Sequence, residues 1–115
     1  MRKTLFIGLL LMAGVVSAQK IEPKYVVSGR EVKATYYYDN GQVRQEGFYK
    51  DGKLNGKWVA YNEDGSKQSM GEYSKGMKTG KWFFWSNATL AEVDYNRSKI
   101  VEMKKWTKDA IVNRN

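Results

Sequence analysis

The chain has 115 residues, with 20 Lys and Arg against 12 Asp and Glu for a net charge of +8, and it contains neither histidine nor cysteine. That composition excludes histidine acid–base catalysis, cysteine nucleophiles, disulfide support and zinc sites of the usual His/Cys kind. A chain of this size holds one small domain with a limited core, and its basicity draws it to anionic surfaces in a salt-dependent way.

Arg2 and Lys3 precede an apolar run from Leu5 to Val16 that ends in the small-residue pattern Val16-Ser17-Ala18. This predicts a secretory signal peptide over residues 1–18. The apolar run has 12 residues, short of the roughly 20 that cross a bilayer as a helix. Removing 18 of the 115 residues leaves a mature chain of 97 that begins at Gln19 and carries +6. It is expected to be exported, periplasmic or extracellular, without a transmembrane segment. Residues 19–30 hold the only proline, Pro23, and read as a linker into a first strand near Glu31.

From there the chain repeats itself at an offset of 24: Tyr37 matches Tyr61, Gly47 matches Gly71, Tyr49 matches Tyr73, Gly56 matches Gly80 and Trp58 matches Trp82. A period in this range signals a repeat architecture. Trp106 falls one further period on and is expected to mark a third unit. Each unit reads as strand, turn, strand, turn, because Tyr, Trp, Phe and Val cluster between Asp39-Asn40-Gly41, Asp51-Gly52, Glu63-Asp64-Gly65 and Lys75-Gly76. Recurrent glycines disfavour helix throughout. A two-residue turn at Asp51-Gly52 pairs Lys50 with Lys53 and, in a regular ladder, sets Gly47 opposite Gly56; the next hairpin then sets Gly71 opposite Gly80. In that register Tyr49 with Trp58, and Tyr73 with Trp82, flank the glycines on one face, where a ring covers a bare patch of backbone.

The stretches "YYYDNGQVRQEGFYKDGKLNGKW" and "YNEDGSKQSMGEYSKGMKTGKW" resemble MORN-type repeats of the variant found in YwqK-like proteins, a family labelled as antitoxins. The resemblance runs from Tyr36 to Trp106. It implies an elongated antiparallel sheet of successive hairpins serving as a protein-interaction scaffold, with membrane-lipid contacts proposed for some members. A toxin–antitoxin role fits poorly with export and is set aside.

The final unit, "WSNATLAEVDYNRSKIVEMKKW", has no glycine, and Trp85 to Tyr95 is 10 residues where Tyr61 to Tyr73 is 12. Such atypical ends cap repeat arrays, so the repeat sheet is expected over 31–106. Residues 107–115 form a tail that can hold a short helix with Thr107 as its N-cap.

The alternation places Tyr49, Leu54, Trp58, Ala60, Tyr73, Trp82 and Phe84 on a first face and Glu46, Phe48, Lys57, Val59, Tyr61, Lys81, Phe83 and Trp85 on a second. The first, more apolar, is the expected core side. Tyr37, Tyr61 and Trp85 form a ladder on the second at about 10 Å spacing. Together with Phe83 they are candidate binding residues for a peptide or glycan, and equally cross-strand rings that hold a sheet together. One turn rim gathers Lys50, Lys53, Lys57, Lys75, Lys78 and Lys81, with Arg97, Lys99, Lys104 and Lys105 in line, against Asp39, Glu63 and Asp64 on the other. Of these, Lys53, Lys57, Lys78 and Lys81 are candidate contacts for an anionic partner. Glu46 is expected to pair with Lys57.

Taken together, the sequence predicts an all-β, non-catalytic module of MORN-like hairpin repeats that binds another protein. Binding of envelope polysaccharide or anionic lipid headgroups is the first alternative, and a small carbohydrate hydrolase working through carboxylates the second. No cofactor or metal is expected, and export argues against nucleic acid. The open sheet edges leave room for a dimer.

Overall fold

A computed structural model of the chain describes residues 20–107. The expected signal peptide and the expected helix beyond Thr107 lie outside the described residues. Eight strands follow one another: β1 (Lys24–Ser28), β2 (Glu31–Tyr37), β3 (Val43–Lys50), β4 (Lys53–Tyr61), β5 (Lys67–Ser74), β6 (Met77–Trp85), β7 (Thr89–Asn96) and β8 (Lys99–Thr107). They form one sheet in chain order, each strand antiparallel to the next. The fold is the all-β meander of hairpins that the turn chemistry predicts.

One departure comes first in the chain. The stretch read as a linker contributes β1, in which Tyr25-Val26-Val27 pairs with Val32–Ala34 across Gly29-Arg30. β-branched and aromatic residues outweigh the preceding proline, which tolerates the start of an edge strand.

The turns alternate between two rims. On the first, two-residue turns at Asp51-Gly52, Lys75-Gly76 and Arg97-Ser98 have both residues at positive φ, 51° and 79°, 50° and 86°, 51° and 63°. This is the type I′ geometry whose twist suits a hairpin. The second rim uses three-residue loops: Gly41 donates to the Tyr38 carbonyl at 3.0 Å and Tyr38 to the Gln42 carbonyl at 2.8 Å, a geometry repeated at Gly65 and Asn62. Between β6 and β7 the loop is tighter, closed by Ser86 N–H donating to the Thr89 carbonyl at 2.9 Å, which accounts for part of the shortened spacing there.

Adjacent hairpins are also tied at their tips. Gly76 N–H donates to the Leu54 carbonyl at 2.8 Å and Ser98 N–H to the Lys78 carbonyl at 2.9 Å on the first rim. The Tyr38 hydroxyl donates to the Tyr61 carbonyl at 2.6 Å, and the Asn40 side chain to the Glu63 carbonyl at 3.0 Å, on the second. Each repeat thereby supports the next, the nearest-neighbour logic of a repeat array.

The ladder inside β3–β4 departs from the predicted register. Lys50 faces Lys53 as expected, but Tyr49 faces Leu54 and then Gly47 faces Trp58, so β4 carries two extra residues between them. Gly47 therefore does not face Gly56. The β5–β6 pair has the same irregularity, with Glu72 opposite Thr79 and Met70 opposite Phe83, and Gly71 lies against Trp82 rather than opposite Gly80. Gly56 and Gly80 have φ of 81° and 69°, so their role is to let the backbone bulge, which only a residue without a Cβ does cheaply. The expected pairing of Glu46 with Lys57 fails for the same reason: Glu46 faces Val59, and Lys57 faces Glu72.

With the bulges in place, one row of facing residues crosses the sheet on its first face: Ala34, Gly47, Trp58, Gly71, Trp82 and Val93. Every member is buried. Trp58 is 6% and Trp82 4% exposed, although no second layer covers them among the described residues. The core of this protein is that row, joined from the second face by Val59, and it is built within a single sheet.

Candidate functional site

The glycine windows explain how a single layer buries tryptophan. A Cβ added to Gly47 would lie 2.1 Å from Trp58 Cδ2, and one added to Gly71 would lie 2.0 Å from Trp82 Cδ2. Each indole thus lies flat on bare backbone. Its N–H reaches the bulge: Trp58 Nε1 donates to the Phe48 carbonyl at 2.8 Å, and Trp82 Nε1 to the Glu72 carbonyl at 3.0 Å. A buried carbonyl left over by an irregular ladder would otherwise cost free energy.

Tyrosines stand edge-on against these indoles. Tyr49 meets Trp58 at 5.3 Å between centroids, Trp58 meets Tyr73 at 6.3 Å, Tyr73 meets Trp82 at 5.0 Å and Trp82 meets Tyr95 at 6.2 Å, all near-perpendicular. The row continues toward β1, where the Tyr36 and Tyr49 hydroxyls are hydrogen-bonded at 3.0 Å and Tyr25 packs edge-on against Tyr36 at 6.1 Å. Edge-to-face pairs of this kind each contribute about 0.5–1.5 kcal/mol beyond area burial. Burial raises the Tyr73 phenol above its ordinary range, with Tyr95 adding to the effect. Tyr49, Trp58, Tyr73 and Trp82 are therefore structural, as the repeat pattern predicts; Tyr36 and Tyr95 belong with them, and their spacing from Tyr49 and Tyr73 was the available sign.

Lys78 joins this face rather than the rim. Its Nζ lies 5.2 Å from the centroid of Trp82, 5.8 Å from Phe84 and 5.0 Å from Tyr95. A lysine held by three rings is engaged by cation–π attraction within the fold, so it is a structural group and not a free contact for an anionic partner.

The second face is different. Lys33, Glu46, Phe48, Lys57, Val59 and Tyr61 line a shallow groove on it. Phe83 stacks on Trp85 at 6.1 Å between centroids with 27° between planes. Tyr37, Tyr61 and Trp85, expected as a ladder, are all half-buried and on this face, with bulges beside Tyr37 and beside Tyr61. Trp85 has its stacking partner on its own strand. Lys57 is exposed here, whereas Lys81 is taken by Glu92 at 3.0 Å, and the Glu92 carboxylate raises the Lys81 pKa above its ordinary value.

The predicted row of lysines thus divides three ways. Lys50, Lys53 and Lys75 stay on the first rim, where they line a groove with Arg30, Asn55 and Ser74; Arg97 and Lys99 extend that rim. Lys57 and Lys81 point to the second face and Lys78 to the first. Lys104 and Lys105 face Glu92 and Ala91 toward the far end of β8, so they are not part of the basic rim. Arg30, which the linker reading passed over, forms an ion pair with Asp51, and the guanidinium holds the Asp51 carboxyl below the usual carboxylate range.

The carboxylates considered for hydrolysis are dispersed. Asp64 accepts from the Ser66 hydroxyl at 2.6 Å and the Ser66 N–H at 2.9 Å, which lowers its pKa. Glu46 accepts from the Thr35 hydroxyl at 3.3 Å. Among the described residues no three His, Cys, Asp or Glu side chains converge.

The terminal hairpin breaks the pattern of the other two. Val93, not a glycine, faces Met103, and Trp106 faces Leu90, itself opposite Trp85. Met103 is therefore the structural successor of Trp58 and Trp82, and Trp106 belongs to the second face; the two missing residues before Tyr95 and the single-residue bulge after it put the sequence match out of step. No protein-family model matches the chain, and a search of curated proteins finds no significant match.

Proposed function

We propose that this protein is an exported, non-catalytic module of MORN-like repeats, of the kind found in YwqK-like proteins, that binds a protein partner on the second face of its sheet. The observation that carries this reading is the asymmetry of the faces. The first face completes its own core through the indole-on-glycine row. The second buries Val59 and Thr35 and leaves Phe48, Tyr61, Phe83 and Trp85 half-buried, as the first leaves its tyrosines, but these rings stand outside the indole-on-glycine row and its chain of edge-to-face contacts. Rings of this kind beside an exposed lysine, Lys57, suit the apolar centre and charged margin of a protein interface. Export rests on the amino-terminal signal pattern, and family membership on the turn-glycine, Gly-Lys-Trp and tyrosine spacing.

A photo-cross-linking residue placed at Phe83 or Tyr61 is expected to capture one defined protein in the native envelope or culture fluid. The same probe at Ser74 on the first rim is expected to capture none. Equal capture at all three positions, or none at any, would remove the reading.

A second reading has its own observation. The first rim gathers Arg30, Lys50, Lys53, Lys75, Arg97 and Lys99 around two carboxylates, Glu31 and Asp51, while Asp39, Glu63 and Asp64 lie on the other. Such a rim suits anionic lipid headgroups or an acidic envelope polysaccharide. Salt-sensitive retention on anionic vesicles, lost in Lys53→Glu/Lys75→Glu, would favour it over the protein-binding reading.

A further inference from the structure

We propose that the outer edge of β8 around Met103 is a self-pairing strand that joins two copies of this chain about a two-fold axis at Met103. The proposal deepens the interaction-module reading by naming one partner, a second copy, but it uses the β8 edge and not the second face.

No further strand pairs with β8 among the described residues, and its exposed apolar side chains stand among Lys99, Glu102, Lys104 and Lys105. Ile100 is 58%, Val101 65% and Met103 52% exposed. Inside the sheet, each indole receives a tyrosine from the following strand, Tyr73 on Trp58 and Tyr95 on Trp82. Met103 occupies the equivalent place, and among the described residues no following strand supplies one. β8 carries no proline, and its lysines, Lys99, Lys104 and Lys105, flank a central stretch Val101–Met103 whose one charge is Glu102.

The charges decide what fits. On the second face Glu102 lies opposite Asp94, a like-charged neighbour, and forms no ion pair among the described residues. Lys104 lies opposite Glu92, whose carboxylate is already held by Lys81 at 3.0 Å. Glu102 is felt by Lys81 only at a distance, and that lysine already holds Glu92 and faces Asp94, so Glu102 and Lys104 each lack an opposite charge of their own within the hairpin. Facing residues of an antiparallel pair share a face, so a two-fold axis normal to the sheet must pass through a facing pair of identical residues. Centring it on Met103 sets Glu102 against Lys104 of the second copy, Lys104 against its Glu102, and Val101 against the stem of its Lys105. Moving the centre to Glu102 or to Lys104 sets identical charges face to face, which destabilises a strand pair. A centre at Val101 sets Glu102 against Ile100 and Lys104 against Ser98 and pairs no opposite charges, so the charges favour Met103. That register makes the first faces of the two copies continuous and turns their basic rims to opposite ends.

The test is the concentration dependence of the mass of the purified protein by sedimentation, with charge-reversed variants. A monomer–dimer equilibrium is expected, weakened about tenfold by Glu102→Lys or by Lys104→Glu and restored in the Glu102→Lys/Lys104→Glu double variant. Glu102→Lys relieves the contact with Asp94 inside the monomer, so loss of dimer in it is not a loss of folding; an unchanged melting transition checks this. Met103→Cys is expected to give a disulfide dimer on mild oxidation, because facing Cβ atoms lie about 4.5–5.5 Å apart, while Val101→Cys gives none. A chain that stays monomeric, a double variant that does not recover, equal cross-linking at Val101, or an open-ended series of oligomers from β8 pairing with β1 would each overturn the proposal. Capture by a probe at Phe83 is unaffected by these variants, so the two readings fail separately.

Discussion

The hairpins β3–β4 and β5–β6 and the hairpin β7–β8 solve one problem in two ways. In the first two, a glycine gives up its side chain so that an indole can lie on the backbone, and the bulge that brings the indole there is closed by the indole's own N–H. In the last, Val93 fills the window, Met103 replaces the indole, and among the described residues no further strand pairs with β8. Interior repeats can lean on a strand at either side, whereas a terminal one has to end the sheet or offer it to something else. The difference teaches that burial here depends on the close approach of ring to backbone, and not on a second layer.

The comparison breaks most visibly at Gly71. Gly71→Ala would place a methyl about 2 Å from the rigid fused ring of Trp82, so either the indole leaves or the strands part. A loss of about 3 kcal/mol or more is expected, of the size that removal of a large core aromatic causes, read as a large fall in the thermal midpoint. Gly80→Ala meets no atom within 4 Å and costs only the left-handed backbone, about 1–2 kcal/mol. Equal effects at the two glycines would mean that the window is not what holds Trp82.

The terminal hairpin allows the converse experiment. Its turn residues Arg97 and Ser98 both hold positive φ, 51° and 63°, without a glycine. Ser98→Gly is expected to stabilise the protein by about 1 kcal/mol, because glycine adopts that conformation without the Cβ clash. The same exchange at Gly52 and Gly76 is already made by the sequence. A neutral or destabilising result, by thermal or urea unfolding, would show that the Ser98 hydroxyl, which accepts from Lys78 N–H at 2.9 Å, outweighs the backbone strain.

Much of this was legible in the residues. Asp51-Gly52 and Lys75-Gly76 predict two-residue turns, and these fix Lys50 opposite Lys53 and Ser74 opposite Met77 as found. The assignment of Tyr49, Trp58, Tyr73 and Trp82 to one face also holds, even though the register beyond the turn does not. The reason is parity: the bulges add two residues, and a slip of two leaves every side chain on its own face where a slip of one would have reversed it. Gly56 and Gly80 were the sign of the bulges, since glycine within a strand marks one at least as often as it marks a packing window. Trp106 misled because a period of 24 was carried through a unit that had lost residues. Lys81 is on the second face as the alternation predicts, but its pairing with Glu92 and the seat of Lys78 among three rings were not readable, because a lysine's side chain is long enough to join rings or a carboxylate far from its own Cα.

The smallest effect concerns the tyrosines that stand between the indoles. Tyr73 touches Trp58 and Trp82, and its burial keeps its pKa above the ordinary 10.0; the pKa of Tyr36 is raised as well, chiefly by its hydrogen bond to Tyr49. A group whose pKa is higher in the folded chain contributes stability that is fully present below the unfolded value and is lost as pH rises through the folded one. Stability should therefore hold to about pH 10 and fall above it, and the fall should be shallower in Tyr73→Phe, whose phenyl ring keeps the edge-on packing and cannot ionise. Met103→Leu, in the hairpin that lacks the ring row, should leave the alkaline limb as it is. Thermal midpoints measured between about pH 9 and pH 11 decide the matter: a limb unchanged by Tyr73→Phe but altered by Met103→Leu would place the alkali-sensitive packing at the end of the sheet, against the interior repeats.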